Sequence, residues 1–528
     1  MAGPSIKMPR KYSLLLIIAL FITLSALFHF LTTNISDVDS FYHIKHAWIY
    51  RTSGLFESGF PWLTASMIGT LGADLWYGFH ILLIPFTFFP DLILGIKFAG
   101  VLLTAAALFI FYLVLKKLNA VYPVLWTLLL FFSTPDLNFR LTMVRPHILT
   151  LAFGMLLLYF LVQRKFLAVF LVSLALAFFH LALAWLSILL WGAVALGNLI
   201  VRRKLELKNL AAVLLGSFLG LILRPNFINA AKLAYIQVVQ LMAEKLQKLP
   251  LPVGSELKPA NDWTMIVFQF LPIIILLTPA LIALIILIVK RRFKDIPESG
   301  RLTIIATLIL SLGFGALTFF IARRSMDLWL GFSLVFLALM LTYFTTTFKN
   351  LFASRRWFFY LAPVIMLFII PFNTLHFASV YRRQGFAPEK FKETALWLKD
   401  NSQPGEVVFN IQWDNFPLLF FWNHKNYYIN GMDPIFEFAY DRNLYWKHYF
   451  IDKDKIYIDA GKGYTCGEIR CTAEMVAVID ETLKEDFKAN YVFLELRRNP
   501  KVYDYLMSNQ NFQKVFESQT QEVVFRVL

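Results

Sequence analysis

Residues 14–31 read LLLIIALFITLSALFHFL, and shortly after them comes Ser36-Asp37-Val38-Asp39-Ser40-Phe41-Tyr42-His43. A hydrocarbon core of about 30 Å takes about 20 apolar residues as a helix. The run is therefore a membrane span, about residues 12–32, and two carboxylates and a histidine stand where it leaves the bilayer. Lys7, Arg10 and Lys11 precede it, which places the N-terminus on the cytoplasmic side and the acids outside. No small-residue cleavage site follows Leu31, so the run reads as an anchor rather than a removed signal peptide.

The rest of the chain agrees. Of 528 residues, 58% are hydrophobic and 16% charged, against about 25% charged in soluble domains. Mean hydropathy is +0.61. Fifty-four Phe and thirteen Trp add an aromatic excess of the kind found at membrane interfaces. The net charge of +16 lies in short clusters between apolar runs. It follows the positive-inside rule, without the basic stripe that a nucleic-acid partner requires.

Apolar runs and basic clusters together predict a polytopic α-helical membrane protein with about 11 transmembrane helices. The spans fall near 12–32, 92–115, 121–135, 148–162, two within 166–201 with an apex at Phe179-His180, then 209–224, 264–289, 302–321, 328–347 and 357–376. Lys116-Lys117, Gln163-Arg164-Lys165, Arg202-Arg203-Lys204, Lys290-Arg291-Arg292, Lys349 and Arg355-Arg356 fall inside. The outer loops are 33–76, Asp136–His147 and 225–262. Tyr77–Pro90 is too short to span and contains two prolines, which suggests an interfacial helix. The transmembrane domain is thus 1–376, with a C-terminal extracytoplasmic α/β domain at 377–528. There the expected elements are helices at 391–400, 417–422, 473–488 and 500–508, and strands at 406–411, 491–495 and 522–528. Multi-pass insertion in the cytoplasmic (inner) membrane follows. Cys466 and Cys471 either close a small disulfide loop in an oxidising compartment or remain free thiols.

Five arginines oppose the charge rule at the outer ends of spans: Arg140, Arg145, Arg224, Arg323 and Arg324. A guanidinium near the bilayer is costly, and phosphate, which it grips in a bidentate fork, is a reason to keep it. Headgroup snorkelling is the alternative. In an extended segment Asp37 and Asp39 point the same way. They then either hold a hard cation such as Mg or Mn, divide base and ligand roles, or cap a helix starting near Phe41. His43 and His46 lie within one helical turn. Trp76, Tyr77 and His80 line one face of the interfacial helix, as a donor contact or an aromatic belt. Tyr427–Pro434 is either an acceptor-facing segment or a strand ending in a turn.

Asp39-Ser40-Phe41-Tyr42-His43, with Arg51-Thr52-Ser53-Gly54-Leu55-Phe56 and Trp62 after it, resembles the first outer loop of glycosyltransferases of the C fold (GT-C). The oligosaccharyltransferase catalytic subunit is similar in this loop. The order of elements through Lys116-Lys117 is similar to protein O-mannosyltransferases and the lipid A aminoarabinose transferase. Gln412-Trp413-Asp414-Asn415-Phe416 resembles the W-W-D-Y-G acceptor motif, with Gln, Asn and Phe replacing Trp, Tyr and Gly. In the second outer loop Asp136 and Arg140–His147 stand where oligosaccharyltransferases have a second D-x-D.

The resemblance implies an inverting glycosyltransferase that moves a sugar from a polyprenyl-phosphate or polyprenyl-diphosphate donor to an unidentified glycan, lipid or protein acceptor. Asp39 would be the base, Asp37 its helper, with or without a metal held by both. Arg323, Arg324, Arg145, His147 and Arg224 would hold the donor phosphate. His43, Trp76, Tyr77, His80, Trp413 and Asp414 would lie near donor or acceptor. The rival classes are a lipid-linked sugar flippase, which predicts a repeat symmetry absent from the sequence, and a non-enzymatic membrane scaffold, which leaves both acids idle.

Overall fold

The computed structural model describes residues 10–55, 59–347, 358–459, 461–466, 472 and 475–528. Lys7, Phe56, Lys349, Arg355, Arg356 and Cys471 lie outside the described residues. Two compact units interleave along the sequence. One takes Met1–Ser36, Ile93–Leu223 and Gly254–Gly385, the other Asp37–Leu92, Arg224–Val253 and Phe386–Leu528.

The first unit is built of apolar helices. Among the described residues, five are long and apolar enough to cross a membrane: Leu92–Lys117, Leu181–Arg202, Trp263–Val289, Glu298–Phe320 and Arg323–Thr347. The number is six if the helices Leu207–Ile222 and Phe227–Leu246 count as one broken span. A helix stands at every position where the sequence predicts a span, but length separates them. Pro123–Phe132, His147–Val162 and Phe166–Phe179 have 10, 16 and 14 residues. At 1.5 Å per residue they reach about 15, 24 and 21 Å, short of a core about 30 Å thick. The apex at His180 is where expected, between Phe166–Phe179 and Leu186–Arg202. The stretch 225–262 differs from the expected loop, since helical turns run from Phe227 through Leu246.

Small residues set the tightest helix pairing. Gly216 and Gly220, a Gly-x-x-x-Gly pair on Leu207–Ile222, meet the backbone of Phe166–Phe179. A Cβ at Gly216 would stand 2.3 Å from the Phe170 carbonyl oxygen, and one at Gly220 2.4 Å from that of Leu174. Such contact requires glycine and lets the helices gain dispersion energy that bulkier residues would forfeit.

Within the same unit the chain leading to Asp37 is pinned. The Lys97 ammonium, inside Leu92–Lys117, donates to the carbonyls of His29, Thr32 and Asn34 at 2.7–2.8 Å. A buried cation thus answers the last helical carbonyl, at His29, and two carbonyls of the segment after it. Tyr381 Oη also donates to Asn34 O at 2.8 Å, and Ser36 Oγ lies 2.7 Å from Thr142 Oγ1.

The second unit holds the sheets. β1 (Val407–Asn410), β2 (Tyr427–Tyr428), β6 (Tyr491–Glu495), β7 (Phe512–Glu517) and β8 (Glu522–Val527) order as β2-β1-β6-β8-β7. β1 runs parallel to β2 and β6, while β8 is antiparallel to β6 and β7. Parallel neighbours need a crossover, and Phe416–Trp422 supplies it between β1 and β2. β3 (Ile456–Asp459), β4 (Lys462–Thr465) and β5 (Ala477–Val478) form a small antiparallel sheet. The expected helix at 473–488 is corrected: Ala477–Val478 is a strand, and helical turns begin at Ile479. Thr465 Oγ1 accepts from Ala477 N at 3.0 Å, holding that segment in the ladder.

Residues 62–65 join the larger sheet. Leu63 bridges Tyr428 in parallel, with Tyr428 N donating to Trp62 O and Thr64 N to Tyr428 O, both at 2.8 Å. Ala65 N donates to Ile429 O at 2.8 Å. Residues 62–65 thus cover the β2 edge, which would otherwise expose unpaired backbone groups. Helix Asp39–Ser53 docks through Phe41 on Phe421 and Tyr42 on Phe420.

The glycine contact makes a direct prediction. Gly220→Val should cost about 1–3 kcal/mol by overpacking, seen as a lower thermal unfolding midpoint of the solubilised protein. Leu215→Val, at an exposed position of the same helix, should leave the midpoint unchanged.

Candidate functional site

In the second unit, helix Asp39–Ser53 carries Tyr42, His46 and Tyr50 at intervals of four, on one face. His43 lies beside them. Val38 is the helix N-cap, with helical backbone (φ −63°, ψ −36°) and no side-chain cap. Asp37-Val38-Asp39 is therefore not the extended segment that would point both acids one way, and neither carboxylate occupies the N-cap position. Asp37 is buried, and Asp39, the first helical residue, is half-buried.

A short turn brings Asp74 to this face. Its Oδ1 accepts from Trp76 N at 2.8 Å. Its Oδ2 accepts from Tyr50 Oη at 2.8 Å and lies 2.6 Å from His80 Nδ1. His46 Nε2 is 4.0 Å from the same oxygen. The outward nitrogens are also held: His80 Nε2 is 2.8 Å from His43 Nδ1, and His46 Nδ1 3.0 Å from Tyr42 Oη. The His46 and His80 rings stack 4.2 Å apart. Burial pushes the Asp74 carboxyl up, but His80 and the Trp76 N–H outweigh it and hold it well below the usual carboxylate range. Burial, then His80, push His46 down to about 3, so its ring is neutral at physiological pH. Burial and the Asp74 charge raise Tyr50, which stays a donor.

Trp76 and His80, expected on one helix face, lie four apart, with the Trp76 ring 5.4 Å from His43. Tyr77 meets Tyr50 edge-on. Arg224 is 3% exposed and donates to Leu75 O at 3.1 Å. Trp413 donates its indole N–H to Pro252 O at 3.0 Å, and the half-buried Asp414 pairs with Arg498 at 3.2 Å. Tyr427–Tyr428 is the strand of the alternative reading, and Asp433 caps the helix Pro434–Tyr440.

The first unit holds the other arginines. Arg140, on Pro135–Leu141, clasps Asp327 through Nε and Nη2 at 2.7 and 2.8 Å and Glu256 through Nη1 at 2.5 Å. Arg145 Nη1 reaches Glu256 at 3.0 Å. His147 Nε2 lies 2.9 Å from Arg140 O. Arg323 lies 3.3 Å from Asp136 and donates to Ser255 Oγ at 3.1 Å. Burial opposes charge on both Arg140 and Glu256. Asp327 and Glu256 nonetheless raise the Arg140 guanidinium, while Arg145, Arg140 and Arg324 hold Glu256 well below the usual carboxylate range. Carboxylates thus answer Arg140, Arg145 and Arg323, a reason for these cations that the charge rule alone does not supply.

Among the described residues, the one set of His, Cys, Asp or Glu donors grouped closely enough for a metal ion is His46, Asp74 and His80. Asp37 and Asp39, expected as ligands, do not form such a group. Asp74 has no sequence motif of its own. The signal available was the spacing of His43 and His46 together with an acid six residues before His80.

The chain matches no protein-family model and no curated protein sequence.

The clasp on Arg140 gives a stability order. Asp327→Asn removes one partner of a buried pair and should cost about 3–5 kcal/mol. Asp136→Asn breaks a pair whose side chains are 20% and 18% exposed, and should cost at most about 1 kcal/mol. Thermal unfolding of the two variants checks the order.

Proposed function

We propose that the protein is a membrane glycosyltransferase of the C-fold type, moving a sugar from a polyprenyl-phosphate or polyprenyl-diphosphate donor to an acceptor outside the cytoplasm. The observation that carries this reading is Asp39. It opens a helix directly after an apolar N-terminal segment, it does not occupy the N-cap position, and it lies one helical turn from His43. In this reading the apolar helices are membrane spans, about 11 in all, and the unit that contains the sheets is extracytoplasmic. Cys466 is disulfide-bonded, which fits an oxidising compartment.

Asp39 takes the proton of the acceptor hydroxyl as its oxygen attacks the anomeric carbon. The carbon–oxygen bond to phosphate breaks, and the polyprenyl phosphate leaves with the electron pair. Attack opposite the leaving group inverts the anomeric centre. Negative charge grows on the phosphate, and preorganised cations stabilise it. Arg145, Arg323, Arg324, Arg224 and His147 are the proposed donors, and Asp37 assists Asp39. Trp413 and Asp414 belong to the acceptor side.

Purified protein incubated with a radiolabelled polyprenyl-phosphate sugar and an envelope extract should move label from lipid to acceptor. Asp39→Asn should lower the rate by about 10²–10⁴-fold with an unchanged thermal midpoint. Undiminished transfer by Asp39→Asn removes it as the base, and absence of transfer with mono- and diphosphate donors contradicts the reading.

A further inference from the structure

Three ligand-type atoms converge within the second unit. One ligand atom from each of His46, Asp74 and His80 lies within 4.8 Å of the other two, and Asp74 Oδ2 faces His46 Nε2 at 4.0 Å and His80 Nδ1 at 2.6 Å. Two donors bound tetrahedrally at about 2.1 Å stand about 3.4 Å apart. The observed separations from Asp74 Oδ2, 2.6 Å to His80 and 4.0 Å to His46, bracket that value.

The geometry points to a divalent transition-metal site of the zinc class, ligated by His46, Asp74 and His80. The surroundings of the three ligands carry the assignment. A ligating histidine commonly engages a partner through its other nitrogen, which fixes ring orientation and tautomer. Here His46 turns Nδ1 to Tyr42 Oη and Nε2 inward. His80 turns Nε2 to His43 Nδ1 and Nδ1 inward. Asp74 turns Oδ1 to the Trp76 N–H and Oδ2 inward, where Tyr50 Oη also holds it. Each ligand thus has one atom on the shared point and another atom fixed behind it. The three side chains are buried, at 7%, 7% and 0% exposure.

Two imidazoles and one carboxylate suit zinc, cobalt or iron better than magnesium or calcium, which favour oxygen. Three protein ligands leave a fourth position. A cleft bordered by His46, Asp74, Gly59, Phe60, Gly72 and Asn226 reaches two of the ligands, so water or an anionic oxygen can take that position. The site does not depend on the glycosyltransferase reading, because none of its ligands is Asp37 or Asp39.

The full-length solubilised protein is stripped with a chelator, dialysed, and titrated with Zn²⁺ alone and, separately, with Co²⁺ alone. The expected result is one tightly held Zn²⁺ per chain by elemental analysis, and visible d–d bands of low-coordinate Co²⁺. His46→Gln and Asp74→Asn should abolish stoichiometric binding. His43→Gln, which touches only the outer nitrogen of His80, should weaken it about 10–100-fold. The wild-type Co²⁺ spectrum decides the matter if a ligand variant fails to fold. A featureless spectrum with no bound Zn²⁺ means a purely hydrogen-bonded cluster and overturns the assignment. Binding undiminished in folded His46→Gln and Asp74→Asn does so too.

Discussion

The Asp74 carboxylate sets the arrangement of the second unit's site. An ionised carboxyl removed from water costs several kcal/mol unless it is answered. Asp74 is answered from three directions: a phenol from helix Asp39–Ser53, an imidazole from Tyr77–Leu83, and its own turn's backbone at Trp76. Those demands fix the helix rotation that turns Tyr42, His46 and Tyr50 to one side. They also fix the turn that delivers His80 to His43. The docking of residues 62–65 along β2 then ties this loop to strands more than three hundred residues later.

The same rule governs the first unit with the signs exchanged. Arg140 is buried among apolar helices, and Asp327 and Glu256 reach it from two other segments. A lone buried guanidinium there would cost several kcal/mol. A clasped one locks three elements while Arg145 shares the second acid. An anion that approached Arg145 or Arg323 would have to displace the carboxylate already paired with it.

Much of this was legible in the sequence, for physical reasons. Apolar runs located the helices, because a helix with a long continuous apolar surface shows as an unbroken apolar stretch in the sequence. The strands at 406–411, 491–495 and 522–528 were visible as β-branched and aromatic runs between turn signals. What escaped were features that exist only through contacts. The helix across 227–246 carries too many polar residues to show as a span in the sequence. Ala477–Val478 has helix-compatible residues, but Thr465 and Tyr464 draft it into a ladder. Asp74 carries no local pattern, and only folding brings it to His46 and His80. Asp37 and Asp39 showed the reverse: an alternation in sequence that the αR turn at Val38 undoes.

The proposed function stands or falls with Asp39 serving transfer of a lipid-linked sugar outside the cytoplasm. Mass spectrometry of envelope glycans, from cells making the wild-type chain and cells making only Asp39→Asn at equal abundance, addresses it most directly. The account predicts that one glycan, or one sugar on a lipid or protein, is missing from the variant cells, with the unmodified acceptor accumulating. Indistinguishable glycan profiles, down to each acceptor, would contradict it.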